Sequence, residues 1–236
     1  MTRIEHIGDQ TLILGDCREV MPTLGRFDAC VTDPPYGIGF DYDKHDDMGG
    51  ADYVKLITRL SDKPRVVLQY PEEMMRYMVP VWGAPDDVFA WCYNSNTNRQ
   101  FRLFGFWGLL PEWNLLLQPA KNIGDKRVEQ SVRSYDWCSD LQQVKNVSAE
   151  KTNHPCQVPS KLMKRIIVLT NASTILDPFM GSGTTLVACQ QLGRKGTGIE
   201  LSEKYFDIAC KRVEQAAAQP RLFAEPQQKP KQEAML

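Results

Sequence analysis

Two short stretches of this 236-residue chain carry side chains that can do chemistry. The first is Asp33-Pro34-Pro35-Tyr36, directly after the apolar run Ala29-Cys30-Val31. A carboxylate accepts hydrogen bonds, proline fixes φ and removes a donor, and a tyrosine ring offers a stacking face. Together they can hold a flat polar group; the alternative for the same residues is a strand followed by a stiff turn. The second stretch is Asp177-Pro178-Phe179-Met180-Gly181-Ser182-Gly183-Thr184-Thr185. There a strand-like run, Thr174-Ile175-Leu176, enters a Gly-x-Gly turn that opens a helix-like run. Glycine lets backbone approach a ligand, and a helix N-terminus favours an anionic group. Glu200 ends the next strand-like run, where an acid can accept hydrogen bonds from both hydroxyls of a ribose.

Two phosphate-binding patterns fail at this turn. The dinucleotide pattern G-x-G-x-x-G needs a third glycine, and Leu186 stands in its place. The phosphate-cradling loop needs a lysine after its glycines, and none follows. A nucleoside ligand without phosphate fits better, with its carboxylate at the helix start and its ribose at Glu200. S-adenosylmethionine has that shape.

The elements that must position these residues alternate between strand and helix, the pattern of an α/β fold with many parallel strands. Strands are predicted from Thr11 to Leu14, Asp28 to Thr32, Arg65 to Gln69, Val88 to Tyr93, Ser173 to Leu176 and Thr197 to Glu200. Helices are predicted from Cys17 to Leu24, Asp52 to Ser61, Glu72 to Met78, Pro159 to Leu169, Thr184 to Leu192 and Ser202 to Gln215. Between Phe101 and Gln118 only Trp113 to Leu117 reads as a strand, and the rest as hairpin or loop. Phe104, Phe106, Trp107 and Trp113 suit core packing better than a base platform. The expected domain covers residues 1–215, with an irregular polar insert over 119–152 and a disordered tail over 216–236.

The paired stretches strongly resemble the motifs of the amino-group DNA methyltransferases, which methylate adenine N6 or cytosine N4 with S-adenosylmethionine. Asp33-Pro34-Pro35-Tyr36 comes first, then a variable insert, then His154-Pro155-Cys156-Gln157-Val158-Pro159, then the glycine element. This is the permuted order of the β group, in which Leu14-Gly15-Asp16-Cys17 before the catalytic strand is also usual. The resemblance runs from about Thr11 to Val213. It implies a Rossmann-like, mostly parallel seven-stranded sheet with helices on both faces. The chain departs from the family's H-P-T-x-K-P, with Cys156 for Thr and Val158 for Lys, so a charge contact near the cofactor carboxylate is missing unless Lys161 or Lys164 substitutes.

The resemblance implies a DNA methyltransferase acting on adenine N6 after base flipping, because an Asp opening the four-residue motif leans toward adenine. Cytosine N4 is the alternative, as is N-methylation of RNA or of a protein amide. A non-catalytic nucleic-acid-binding partner is a further alternative, opposed by the intact Asp33, Tyr36, Gly181, Gly183 and Glu200. The catalytic residues implied are Asp33, Pro34, Pro35 and Tyr36. The Asp33 carboxylate and Pro34 carbonyl accept the two N–H groups of the target amine, and Tyr36 stacks on the flipped base. The cofactor contacts implied are Asp16, Asp177, Phe179, Gly181, Ser182, Gly183, Thr184, Thr185, Glu200 and His154. For Asp16 a helix N-cap is an equal reading, and for His154 an ordering role outweighs a general base. DNA phosphate contacts are assigned to Lys121, Lys126, Arg127, Arg133 and Lys145. Gln219-Pro220-Arg221-Leu222-Phe223 resembles the peptide that docks bacterial proteins onto the replication sliding clamp. The acidic loop Asp41 to Asp47 is a candidate lid.

Composition sets the remaining bounds. A formal net charge of -1 advertises no global field for a polyanion. The seven cysteines are scattered without paired Cys/His spacing, so buried free thiols are expected and no metal. No apolar run is long enough to span a membrane. A cytoplasmic protein, bacterial or phage-encoded and nucleoid-associated, is expected as a monomer or homodimer.

Overall fold

Short runs rich in β-branched and apolar residues build the sheet, because branched side chains pack well on a pleated surface. The computed structural model describes residues 3–35, 50–60, 65–69, 74–94, 99–108 and 158–219. Its strands are β1 (Arg3–Ile7), β2 (Gln10–Leu14), β3 (Ala29–Thr32), β4 (Arg65–Gln69), β5 (Asp87–Asn94), β6 (Arg99–Trp107), β7 (Thr174–Asp177) and β8 (Lys195–Glu200). The helices are α1 (Cys17–Val20), α2 (Gly50–Leu60), α3 (Val79–Trp82), α4 (Ser160–Thr170), α5 (Thr184–Leu192) and α6 (Glu203–Ala218).

All the strands join one sheet in the order β1-β2-β8-β7-β3-β4-β6-β5. Neighbours from β2 to β4 run parallel, whereas β6 is antiparallel to both β4 and β5. The seven strands from β2 to β5 make the expected mostly parallel sheet. Arg3–Ile7 adds an eighth, antiparallel to β2, where no strand was predicted. Its Arg3, Ile4 and His6 are exposed, so it shows no apolar alternation toward a core. Backbone pairing holds it, helped by the Arg3 guanidinium 5.0 Å from the Phe206 ring centre.

A second difference lies at Arg99–Trp107, which is a full strand where the sequence pointed to hairpin or loop. Gly105 obscured it. A Cβ there would come within 2.6 Å of the Trp107 ring, so the glycine makes room for that ring on the same face. Phe104, Phe106 and Trp107 are core residues, with 2%, 0% and 1% exposure. The predicted helix ending at Met78 is a wide π turn, Met74–Met78, leading into α3. Pro80 cannot donate into the preceding turn, which accounts for the altered winding ahead of it. The predicted strand from Trp113 to Leu117, the acidic loop and the 119–152 insert lie outside the described residues.

Helices α4, α5 and α6 cover one face of the sheet, and α1, α2 and α3 the other. Alternation decides the sides: Ile175 of β7 packs with α4, and Leu176 packs with α1 and α2. α4 lacks a side-chain N-cap hydrogen bond, a loss of about 1 kcal/mol. Its buried Leu162, Ile166 and Ile167 outweigh that, at roughly 1.5–3 kcal/mol each. Among the described residues no helix is long and apolar enough to cross a membrane.

The connections decide where a ligand can sit. β3 leads through α2 to β4 on one side, and β7 leads through α5 to β8 on the other. Winding therefore reverses between the neighbours β7 and β3, and open α/β sheets bind ligands at the carboxyl ends of strands flanking such a point.

Candidate active site

The carboxyl ends of β2, β8, β7 and β3 bring Asp16, Glu200, the glycine turn and Asp33 to one edge of the sheet. Gly181 and Gly183 both take left-handed φ, at 51° and 78°. That conformation suits glycine, because a Cβ would crowd the following carbonyl. Gly183 is also the N-cap of α5 and packs on α6, where an added Cβ would lie 2.8 Å from Ala209 Cβ. The glycine therefore serves close helix packing as well as an approach to a ligand.

α6 holds the turn through a second residue. Arg212 donates from Nη1 to Ser182 Oγ at 2.8 Å and to Thr184 Oγ1 at 3.1 Å, and it reaches the Ser182 carbonyl oxygen as well. Sequence reasoning missed Arg212, since an arginine on an amphipathic helix reads as solvated. Its spacing of i+3 from Ala209 places both on one helix face, a signal that becomes useful once Ala209 is known to face the glycine.

Glu200 bridges the two turns beyond the sheet. Its Oε2 accepts the Gly181 N–H at 3.0 Å and its Oε1 accepts the Ser202 N–H at 2.8 Å. Burial pushes the carboxyl up to about 7, against the pull of the N–H groups of Ser202, Gly181 and Leu201. A carboxylate has about four acceptor positions, so these three donors leave room for a ribose hydroxyl. The Gly15 N–H donates to the Glu200 carbonyl at 2.9 Å, which sets Asp16 beside this strand end. Asp16 itself caps α1, accepting the Arg18 N–H at 2.8 Å and holding the Arg18 guanidinium. The N-cap reading of Asp16 is thus realised.

Asp177 turns inward. It is 3% exposed and accepts Thr32 Oγ1–H at 2.7 Å and the Phe179 N–H at 3.2 Å, both on Oδ1. Burial pushes its carboxyl up to about 6, opposed by the hydrogen bonds from Thr185, Thr32 and Phe179. Phe179 and Gly181 are partly exposed, while Ser182, Gly183, Thr184 and Thr185 are buried. On the β3 side, Asp33 and Pro35 are partly exposed and Pro34 is buried. Val158, which stands where the resemblance leads one to expect a lysine, is 4% exposed and packs with α4 in the core.

Tyr36, His154, Lys121, Lys126, Arg127, Arg133, Lys145 and the segment 220–223 lie outside the described residues. Four cysteines, Cys17, Cys30, Cys189 and Cys210, are buried free thiols, and burial pushes Cys17 up to about 12. These thiols are not poised as nucleophiles, because the thiolate is the reactive form.

A family model described as DNA methylase matches residues 81–211, more than half of the chain. The chain is 28% identical over 255 residues to the Type II methyltransferase M.ScaI of Streptomyces caespitosus, covering 89% of this chain and 83% of that protein. It is 33% identical over 136 residues to the Type II methyltransferase M.HinfI of Haemophilus influenzae, 57% of this chain and 34% of that one. Among solved structures, M1.HpyAVI in complex with S-adenosylmethionine superposes with a TM-score of 0.58 at 24% identity, covering 86% of this chain and 99% of that one. The PvuII cytosine-N4-specific DNA methyltransferase gives a TM-score of 0.57 at 15% identity, over 87% and 86% of the two chains. At these identities the structural likeness establishes the fold.

Proposed function

The chain belongs to the DNA methylase family of the N6/N4 class, and from that premise we propose that it methylates adenine N6 in DNA with S-adenosylmethionine as the methyl donor. The observation that carries this reading is the edge of the sheet itself. It sets Asp33-Pro34-Pro35 at the end of β3 beside the glycine turn of β7, with Glu200 on the far side of that turn.

The residues present fit the cofactor. Glu200 offers remaining acceptor positions to a ribose, and Gly181 and Gly183 open the start of α5 to a carboxylate. When bound, S-adenosylmethionine supplies a methyl group made electrophilic by its sulfonium sulfur. The rest of the chemistry is amine handling. An exocyclic amine is a poor nucleophile while its lone pair is delocalised into the ring. One Asp33 oxygen accepts one amine N–H, and the Pro34 carbonyl accepts the other. These acceptors favour the tetrahedral nitrogen, and the proline rings keep them in place. Tyr36 supplies the stacking face, and Lys121, Lys126, Arg127, Arg133 and Lys145 in the 119–152 insert supply phosphate contacts.

Mass spectrometry of nucleosides from DNA methylated by the purified protein tests the base. N6-methyladenine is the expected product, and N4-methylcytosine as the sole product overturns the adenine reading. DNA from a host that otherwise lacks the mark, sequenced for modified bases, gives the target sequence in the same experiment.

Glu200 makes cofactor binding depend on pH. Its carboxyl titrates near about 7 in the free protein, and ribose hydroxyls donate best to the ionised form. Ligand binding then releases a proton below that value. Affinity should rise with pH, by up to about tenfold per unit below the carboxyl's pKa, and level off above it. Calorimetry of S-adenosylhomocysteine binding, in buffers of different ionisation enthalpy, reads both the affinity and the proton. A constant affinity from about pH 5.5 to 7.5 removes the ribose role of Glu200.

A further inference from the structure

We infer that Thr32 is a positioning residue for methyl transfer: its hydroxyl ties the amine-holding Asp33 to the glycine turn through the buried Asp177 carboxylate. The inference rests on the reading of Asp33 as the acceptor of the target amine. Thr32 is the last residue of β3, lies directly before Asp33, and is 1% exposed. Its side chain makes a single bond of 2.7 Å to Asp177 Oδ1, the oxygen that also accepts the Phe179 N–H. Thr185 in the first turn of α5 donates to the same carboxylate. One acid thus gathers the end of β3, the glycine turn and the start of α5.

The ladder between β3 and β7 shows why a side-chain tie matters here. It pairs Ala29 with Ile175 and Cys30 with Leu176 and goes no further, whereas on the other side β3 stays paired with β4 through Thr32. The two strands therefore part at the point where winding reverses, and their separation defines the crevice. Beyond the last backbone pair, the bond from Thr32 to Asp177 bridges the gap. A misplacement of about 1 Å between reacting groups costs on the order of a hundredfold in rate. A single bond that sets this separation acts on catalysis without touching either substrate.

The test uses the full-length protein with Thr32→Val, which keeps the shape and loses the hydroxyl, and Thr32→Ser, which keeps the hydroxyl. Thr32→Val should slow single-turnover transfer to DNA by about 10- to 100-fold while changing the S-adenosylhomocysteine dissociation constant less than about threefold. Thr32→Ser should recover the rate to within about threefold of the natural protein. If Thr32→Val does not fold, Thr32→Ala carries the same expectation. A rate within about threefold of the natural protein for Thr32→Val, or a Thr32→Ser as slow as Thr32→Val, overturns the role. Amide hydrogen exchange without any substrate gives the independent reading. Loss of the hydroxyl should speed exchange in peptides spanning 29–35 and 177–185 together, and unchanged exchange in both also overturns it. Should the natural protein transfer no methyl group to any DNA, the reading of Asp33 falls, and the exchange result alone decides whether the tie exists.

Discussion

Asp33→Ala is expected to lower the single-turnover rate of methyl transfer by about a thousandfold or more, while cofactor affinity stays within about threefold of the natural protein. Positive charge develops on the amine nitrogen as its lone pair leaves the ring and forms the new bond. A carboxylate held about 4 Å away at an effective dielectric near 20 stabilises that charge by about 4 kcal/mol, which is about three decades in rate. Asp33→Asn should fall less far, because its carbonyl keeps one acceptor although the charge is gone. Asp33 is partly exposed at the end of β3, away from the core clusters, so the fold should survive either change. Melting curves check the fold, calorimetry checks the cofactor site, and rapid-quench assays read the rate. Unchanged turnover in Asp33→Ala would refute the assignment.

Much of the fold was legible because its core strands are uninterrupted. Arg65-Val66-Val67-Leu68-Gln69 is buried along its whole length, as a strand covered on both faces must be, and its predicted bounds match the observed ones. Thr184–Leu192 matches too, bounded by Gly183 at one end and Gly193 at the other, each in the left-handed region. What was hidden has local causes. β1 is an edge strand whose pairing partner is close in sequence but whose side chains carry no core pattern. β6 has a glycine and three aromatics where an alternating pattern would be, because Trp107 folds across Gly105. α6 runs to Ala218, three residues past the predicted Gln215, since Ala216 still packs against the core.

The site was legible where its residues are neighbours in the chain. Asp33, the two prolines, the glycine turn and the strand-ending Glu200 each sit in a contiguous motif. What joins them does not. Thr32 reaches Asp177 across 145 residues, and Arg212 reaches Ser182 across 30. No periodicity records such pairs, because each partner obeys the rules of its own element. Asp177 shows the consequence. In the sequence it reads as one more ligand contact ahead of the glycines, yet its carboxylate points into the protein and organises the turn from behind.

Gly183→Ala is expected to be the most destabilising small substitution in the site. Two costs add there. Gly183 has φ 78° and ψ 24°, a conformation that costs a residue with a Cβ about 1–2 kcal/mol. The new methyl would also lie 2.8 Å from Ala209 Cβ and 3.2 Å from Ala209 Cα, and the second contact is backbone that cannot rotate aside. Phe206 and Val213, both fully buried, pin α6 on either side of Ala209. Relief must come from shifting a helix, at about 1–3 kcal/mol for an overpacked core. The sum, roughly 2–5 kcal/mol, is a large part of the 5–15 kcal/mol that typically holds a domain together. Cofactor affinity should fall with it, because a displaced α5 pulls Gly181 from Glu200 and Ser182 from Arg212. Ala209→Gly separates the two costs. It removes the steric partner while leaving φ unchanged, and by itself it costs about 1 kcal/mol as a glycine inside a helix. In the Ala209→Gly background, Gly183→Ala should therefore cost about 1–3 kcal/mol less than in the natural protein, measured by denaturant unfolding of all four chains. Strictly additive costs would mean that Ala209 does not set the limit, and that backbone conformation alone requires glycine at this position.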